Sequence, residues 1–201
     1  MDDILHADVR SPQVNFAVGL GAGAVNGVLL SPLAVIKYHG WGSNLGATFA
    51  SASRDLMLRG GPLVFFKGVS VSVIRDSTFG VVYEVVRGTL RGHVAALDPD
   101  DPARAPFTFA SDFFGAMAAS AVSSPFNYVR NTIYATKPDV KPPSIARCLV
   151  MLSQEARTSD TPWKFLESRL FFGWGTTRVA LGMGFGQFVY ERIKRLMAQT
   201  D

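Results

Sequence analysis

The chain has 201 residues, enough for one ordinary soluble domain or about four membrane helices. Hydrophobic residues make up 48% and charged residues 18%, with a mean hydropathy of +0.18, which excludes a disordered or low-complexity chain. A single cysteine, Cys148, excludes a disulfide scaffold and a multi-thiolate zinc site, and His6, His39 and His93 form no ligand motif. The net charge of +4 is spread along the chain rather than clustered, so it suits a membrane surface better than nucleic acid.

The first apolar run, Ser11 to Ile36, carries no charge and exceeds the roughly 20 residues that span a bilayer. It does not read as a signal peptide, because Met1-Asp2-Asp3 is acidic where a basic n-region is expected. Gly19-x-Gly21-x-x-Ala24 imitates a dinucleotide-binding loop, but the acid needed about 20 residues later is missing; the next is Asp55. Gly19, Gly23 and Gly27 recur every four residues and would share one helix face, open to a close second backbone.

Three further runs follow. Gly68 to Val86 carries Arg75, Asp76 and Glu84; Pro106 to Val129 carries only Asp112; Phe171 to Tyr190 carries only Arg178. Intramembrane charge is costly and faces a cavity or a partner. Two amphipathic stretches, Leu45 to Leu58 and Ile145 to Ala156, read as surface helices, the second with Ile145, Leu149 and Leu152 on one face. Residues 97–106 form a proline-punctuated linker.

The order of elements repeats. Ser31-Pro32-Leu-Ala-Val-Ile-Lys37 matches Ser124-Pro125-Phe-Asn-Tyr-Val-Arg130 in register, and Phe65-Phe66-Lys67-Gly68 is echoed by Phe171-Phe172-Gly173. This gives repeat A at 1–96, the linker at 97–106 and repeat B at 107–201. The expected fold is an all-α membrane protein with four transmembrane helices and a short surface helix in each repeat.

With its doubled proline–base pattern followed by aromatic-basic-glycine, the sequence resembles the mitochondrial carrier family. The resemblance implies a multi-pass protein of the mitochondrial inner membrane, with both termini in the intermembrane space and the surface helices in the matrix. In that family three repeats ring a substrate cavity, and salt-bridge layers close it on alternate sides. Proline kinks a helix, and an acid and a base beside the kink form the matrix gate. Here Pro32, Lys37, Pro125 and Arg130 remain as matrix-gate remnants, while Ala34 and Asn127 stand at the acid positions. The two bases are expected to snorkel to the interface. The gate on the opposite side is implied at Tyr190, Glu191 and Lys194, and at Tyr83, Glu84 and Arg87. Glu84 lies nine residues after Arg75 but Glu191 thirteen after Arg178, so either Glu84 or Arg87 occupies the first acid position. At the depth of family substrate contacts lie Arg75, Asp76 and Arg178; an arginine could hold a carboxylate and Asp76 an amine.

No catalytic constellation, metal motif or phosphate loop is present, so no enzyme and no cofactor are expected. Two repeats rather than three, the lost matrix acids, and Thr78 and Leu181 near the even-helix proline positions favour one reading. It is a truncated, degenerate carrier serving as a structural subunit of a larger inner-membrane complex. The alternative is a genuine carrier of a small carboxylate or amino acid, completed by a partner chain. The expected partners are membrane lipid, cardiolipin included, and other membrane subunits docking on glycine faces such as Gly182 with Gly186, with no nucleic acid.

Overall fold

The structure is a computed structural model that describes residues 11–42, 48–97, 103–137, 140–170 and 174–198. All regular structure among the described residues is helical. In chain order these are α1 (Pro12–Leu29), α2 (Ser31–Gly42), α3 (Phe49–Gly60), a 3-10 turn (Pro62–Phe66), α4 (Val69–Ala95) and α5 (Arg104–Ala135). They are followed by α6 (Ile145–Thr158), α7 (Pro162–Leu170) and α8 (Trp174–Ala198).

Local chemistry explains the boundaries. The first apolar run breaks at Leu30, just ahead of Pro32, and α1 and α2 meet at a bend of 52°. Proline lacks the donor that would close the preceding turn. The same Ser-Pro pair in α5 behaves differently, and that helix continues through Pro125 for 32 residues. Thr48 caps α3 by accepting from the Ser51 N–H at 3.2 Å. Gly61 ends it at φ +66°, donating its own N–H to the Met57 carbonyl at 2.9 Å, and Pro62 then starts the 3-10 turn. Ser144 caps α6 in the same manner, accepting from the Arg147 N–H at 3.3 Å.

The surface-helix expectations correspond to α3 and α6, with residues 45–47 outside the described set. Helix α4 runs to Ala95, well past the end of its apolar run at Val86. The linker is shorter than expected, because residues 104–106 already belong to α5. Helix α7 had no apolar signal; it is a nine-residue segment carrying Lys164, Glu167 and Arg169.

Among the described residues no single helix is both long and apolar enough to cross a membrane alone. The bent pair Pro12–Leu29 with Ser31–Gly40 passes that test together, as does Phe49–Gly60 with Pro62–Val94, which turns through 111°.

Two compact units form, and each draws on both halves of the sequence. One contains the described residues of 11–22, 78–122 and 174–198; the other contains those of 23–77 and 123–170. The core of the first is small: Tyr83, Ala116, Ala119 and Ala180, flanked by Phe79, Phe113 and Met183. The core of the second is larger and joins Val35 and Ile36 of α2, Ala52 and Leu56 of α3, Val71 of α4, Val129, Ile133 and Tyr134 of α5, and Cys148 of α6. Ile145 and Leu149 pack against it, so the apolar face expected for α6 points inward.

The glycine face of α1 meets the backbone of α4. In the first unit, a Cβ on Gly19 would collide with the Gly80 carbonyl, and one on Gly80 with the Gly19 carbonyl. In the second, Gly23 lies against the Asp76 carbonyl, and a Cβ on Gly27 would come within 2.6 Å of the Val73 Cα. Small residues at this spacing let two helices approach until backbone touches backbone.

Candidate functional site: a buried arginine cluster

In the second unit, charge gathers where α1, α4 and α5 supply polar side chains. Arg75 Nη1 donates to Asp76 Oδ1 in an ion pair between sequence neighbours. The other carboxylate oxygen of Asp76 accepts from Asn26 Nδ2 at 3.3 Å. Asp76 is buried, whereas the Arg75 side chain keeps 30% of its surface exposed. One helical turn below the α5 proline, Arg130 Nη2 donates to Asn127 Oδ1 at 2.6 Å. Its guanidinium lies 5.8 Å from the centre of the Tyr134 ring. The Tyr134 hydroxyl in turn shares a hydrogen bond of 3.1 Å with Ser72 Oγ. Arg130 lies within electrostatic reach of both Arg75 and Asp76.

The arithmetic of this cluster is uneven. The one carboxylate pairs with Arg75, while Arg130 meets the neutral amide of Asn127, leaving an excess positive charge in a partly buried setting. Among the described residues, the Nε atoms of Arg75 and Arg130 are buried with no hydrogen-bond partner. A buried donor without an acceptor is costly. An anion with two oxygens would supply both the missing charge and the missing acceptors.

The matrix-gate remnants therefore divide. Lys37 is exposed. Arg130 corrects the expectation of a snorkelling base: it is half-buried and turned toward Asn127 and Tyr134. The amide oxygen of Asn127, standing at the family's acid position, does what a carboxylate would do, without the charge. Arg178, the third substrate-contact candidate, lies exposed on α8 in the other unit.

That first unit holds a different charge cluster. Asp112, 1% exposed, accepts from Arg87 Nε at 2.7 Å through one oxygen and from Arg91 Nη2 at 2.9 Å through the other. Glu84 touches Arg87 only at 3.5 Å, and Arg87 lies 5.7 Å from the centre of the Tyr83 ring. Of the gate candidates on α4, Arg87 thus pairs chiefly with α5. Tyr190 is exposed on α8, while the side chains of Glu191 and Lys194 and the whole of 171–173 lie outside the described set. Arg91 was not among the sequence candidates. The signal for it was Asp112, the only charge in the third apolar run, which needed a base somewhere.

Residues 8–95 match the sequence pattern of the family described as mitochondrial carrier protein. The chain is similar to a mitochondrial glycine transporter of Pyricularia oryzae, 29% identical over 159 residues, covering 72% of this chain and 47% of that protein. It is also similar to a mitochondrial glycine transporter of Neurospora crassa, 27% identical over 145 residues, covering 59% of this chain and 42% of that protein. The chain spans about half the length of these curated relatives. No solved structure matches it. Residues 8–95 carry the mitochondrial carrier pattern, and the doubled proline–base pattern, the helical build of the described residues and these relatives support membership of the mitochondrial carrier family.

Proposed function

We propose that this chain is a carrier-type protein of the mitochondrial inner membrane that binds the carboxylate of a small amino acid at Arg75 and Arg130. Asp76 receives the amine. The observation that carries the reading is two guanidiniums beside one carboxylate, with both Nε atoms buried and lacking acceptors among the described residues. A zwitterion matches this arrangement, since its carboxylate meets the arginines and its ammonium meets Asp76. The names of the two relatives, both glycine transporters, support a substrate of that size.

The reading places four spans at α1 with α2, α4, α5 and α8, and sets α3 and α6 at the matrix surface. Its support is the apolar bent pair and the length of α4, α5 and α8, at 27, 32 and 25 residues. Asp112 of α5 is met by Arg87 and Arg91 of α4, as intramembrane charge requires.

The test is titration of the detergent-purified protein with glycine by calorimetry. Saturable heat is expected, lost in Arg75→Ala and Arg130→Ala and kept in Lys37→Ala. The absence of saturable heat from the unmodified protein would sink the proposal.

A second reading, a structural subunit of a larger membrane assembly, is favoured by one observation. Gly182 and Gly186 lie on α8 with nothing within 4 Å of where a Cβ would be. That reading expects other membrane subunits at fixed ratio after mild detergent extraction, and their loss when both glycines are replaced by leucine.

A further inference from the structure

We infer that Asn26 and Asn127 are placeholders for the two ends of the substrate, each holding with a neutral amide the position that a charged end takes on binding. The inference rests on the amino-acid reading above and starts from the direction of two hydrogen bonds in the second unit. Asn26 Nδ2 donates to Asp76 Oδ2 at 3.3 Å, whereas Asn127 Oδ1 accepts from Arg130 Nη2 at 2.6 Å. The acid is thus met by an amide NH2, where the ammonium of an amino acid would stand. The base is met by an amide oxygen, where a carboxylate oxygen would stand. One carboxamide offers its donor half and the other its acceptor half, the same division of roles that a zwitterion carries in one molecule.

Both amides are placed so that they can leave. Asn26 is exposed on α1, on the turn between Gly23 and Gly27, whose backbone is held close against α4. A change of its side-chain rotamer frees the Asp76 oxygen without moving either helix. Asn127 is half-buried and bonds Arg130 within one turn of the same helix, so its release breaks no contact between helices. The frame around them is of a different kind. Arg75 meets Asp76 with full charge, and the Ser72–Tyr134 hydroxyl pair is buried on both sides. A hydrogen bond in which both partners are ionised is stronger than one to a neutral amide. An amino acid therefore replaces two charge–neutral bonds by two charge–charge bonds, and that difference drives the exchange. The exchange also divides by ligand chemistry. An ammonium releases the α1 side chain from Asp76, and a carboxylate alone releases only Asn127.

The experiment uses the sign of the effect. A placeholder competes with the ligand, so its removal tightens binding, whereas loss of a merely structural contact weakens it. Glycine is titrated by calorimetry into the detergent-purified protein, and acetate, which lacks the ammonium, is read by its competition with glycine. Asn26→Ala is expected to tighten glycine about fivefold, the scale of one net hydrogen bond, and to leave acetate unchanged. Asn127→Ala is expected to tighten glycine and acetate alike, again about fivefold. Unchanged or weaker glycine binding in Asn26→Ala, beside saturable heat from the unmodified protein, overturns the inference and leaves the amino-acid reading intact. Equal tightening of both ligands in Asn26→Ala marks a general loosening of the site and overturns it too, as does unchanged or weaker glycine binding in Asn127→Ala. Where acetate does not compete, the two glycine results decide. No saturable heat from the unmodified protein overturns both readings. Should Asn26→Ala not purify as folded protein, Asn26→Leu, which keeps the volume and removes the donor, is judged by the same outcomes.

Discussion

The carbonyl oxygens of Gly19 and Gly80 each occupy the space that a methyl group would need on the other residue. The α1–α4 contact at this point is backbone against backbone, with no side chain able to rotate out of the way. Gly19→Ala and Gly80→Ala should each destabilise by about 1–3 kcal/mol through overpacking. Gly21→Ala, two residues from Gly19 and with nothing within 4 Å of its Cβ position, serves as the contrast. Alanine's better helix propensity should there raise stability by up to about 1 kcal/mol. Thermal unfolding of the three variants in one detergent checks the order.

Asp112 holds two arginines. Replacing it with asparagine removes the buried carboxylate that pairs with both Arg87 and Arg91, and the expected cost is about 3–5 kcal/mol. Glu84→Gln should cost less than about 1 kcal/mol, because Glu84 meets Arg87 only at 3.5 Å. Denaturation midpoints of the two variants distinguish a clamp centred on Asp112 from one centred on the tyrosine-acid motif of α4.

Asn127→Asp restores an acid beside Arg130. The hydrogen bond of 2.6 Å becomes an ion pair, and the cluster of Arg75, Asp76 and Arg130 loses its excess charge. Stability should rise by about 1–3 kcal/mol, the scale of a hydrogen bond between charged groups. Glycine binding should weaken in the same variant, since the charge that recruits a carboxylate is then neutralised from within. Calorimetric titration beside thermal unfolding reads both effects.

Cys148 is buried on α6, and burial pushes its thiol above the ordinary value of 9.0, opposed by the nearby Arg147. The thiolate is the reactive form. Maleimide labelling at neutral pH should be far slower than for the denatured chain. The linkage has a definite sign. Above the ordinary thiol pKa, the unfolded chain ionises at Cys148 and the folded chain does not. The stability this site contributes is therefore full below that pH and lost as pH rises from there through the raised pKa of the folded chain. Cys148→Ser should flatten that part of the pH–stability curve.

Much of the helical order could be read from apolar run length, because burial against helices or lipid leaves a plain record of apolar residues. The close approach at Gly19, Gly23 and Gly27 was legible for the same kind of reason: four-residue spacing puts them on one face whatever they meet. What they meet was only partly legible: α4 offers Gly80 and, eight residues on, Gly88 against Asn15 of α1, but nothing small marks Asp76 and Val73, which Gly23 and Gly27 meet. The two proline sites show a limit of local sequence. Ser31-Pro32 follows a 52° break and Ser124-Pro125 sits inside a continuous helix, although their flanking residues match in register. Arg91 escaped because it lies beyond the end of its apolar run, on helical turns that α4 adds before Ala95. The candidate site was half legible. Arg75 and Asp76 stood out as charges in an apolar run. The inward turn of Arg130 depends on Tyr134 and Asn127, which as single letters announce nothing.

Lys37 and Arg130 hold the same place in a doubled pattern, but one is exposed and the other leans over an aromatic ring beside an amide. The duplication is thereby handed: its two copies no longer present interchangeable surfaces to a small molecule. A symmetric dianion would find only one of its two ends satisfied by this cluster. On the proposed reading, a molecule with one negative and one positive end would find both, and only when it arrived the right way round. The discrimination between such solutes would then follow from the inequality of the two copies rather than from the shape of either.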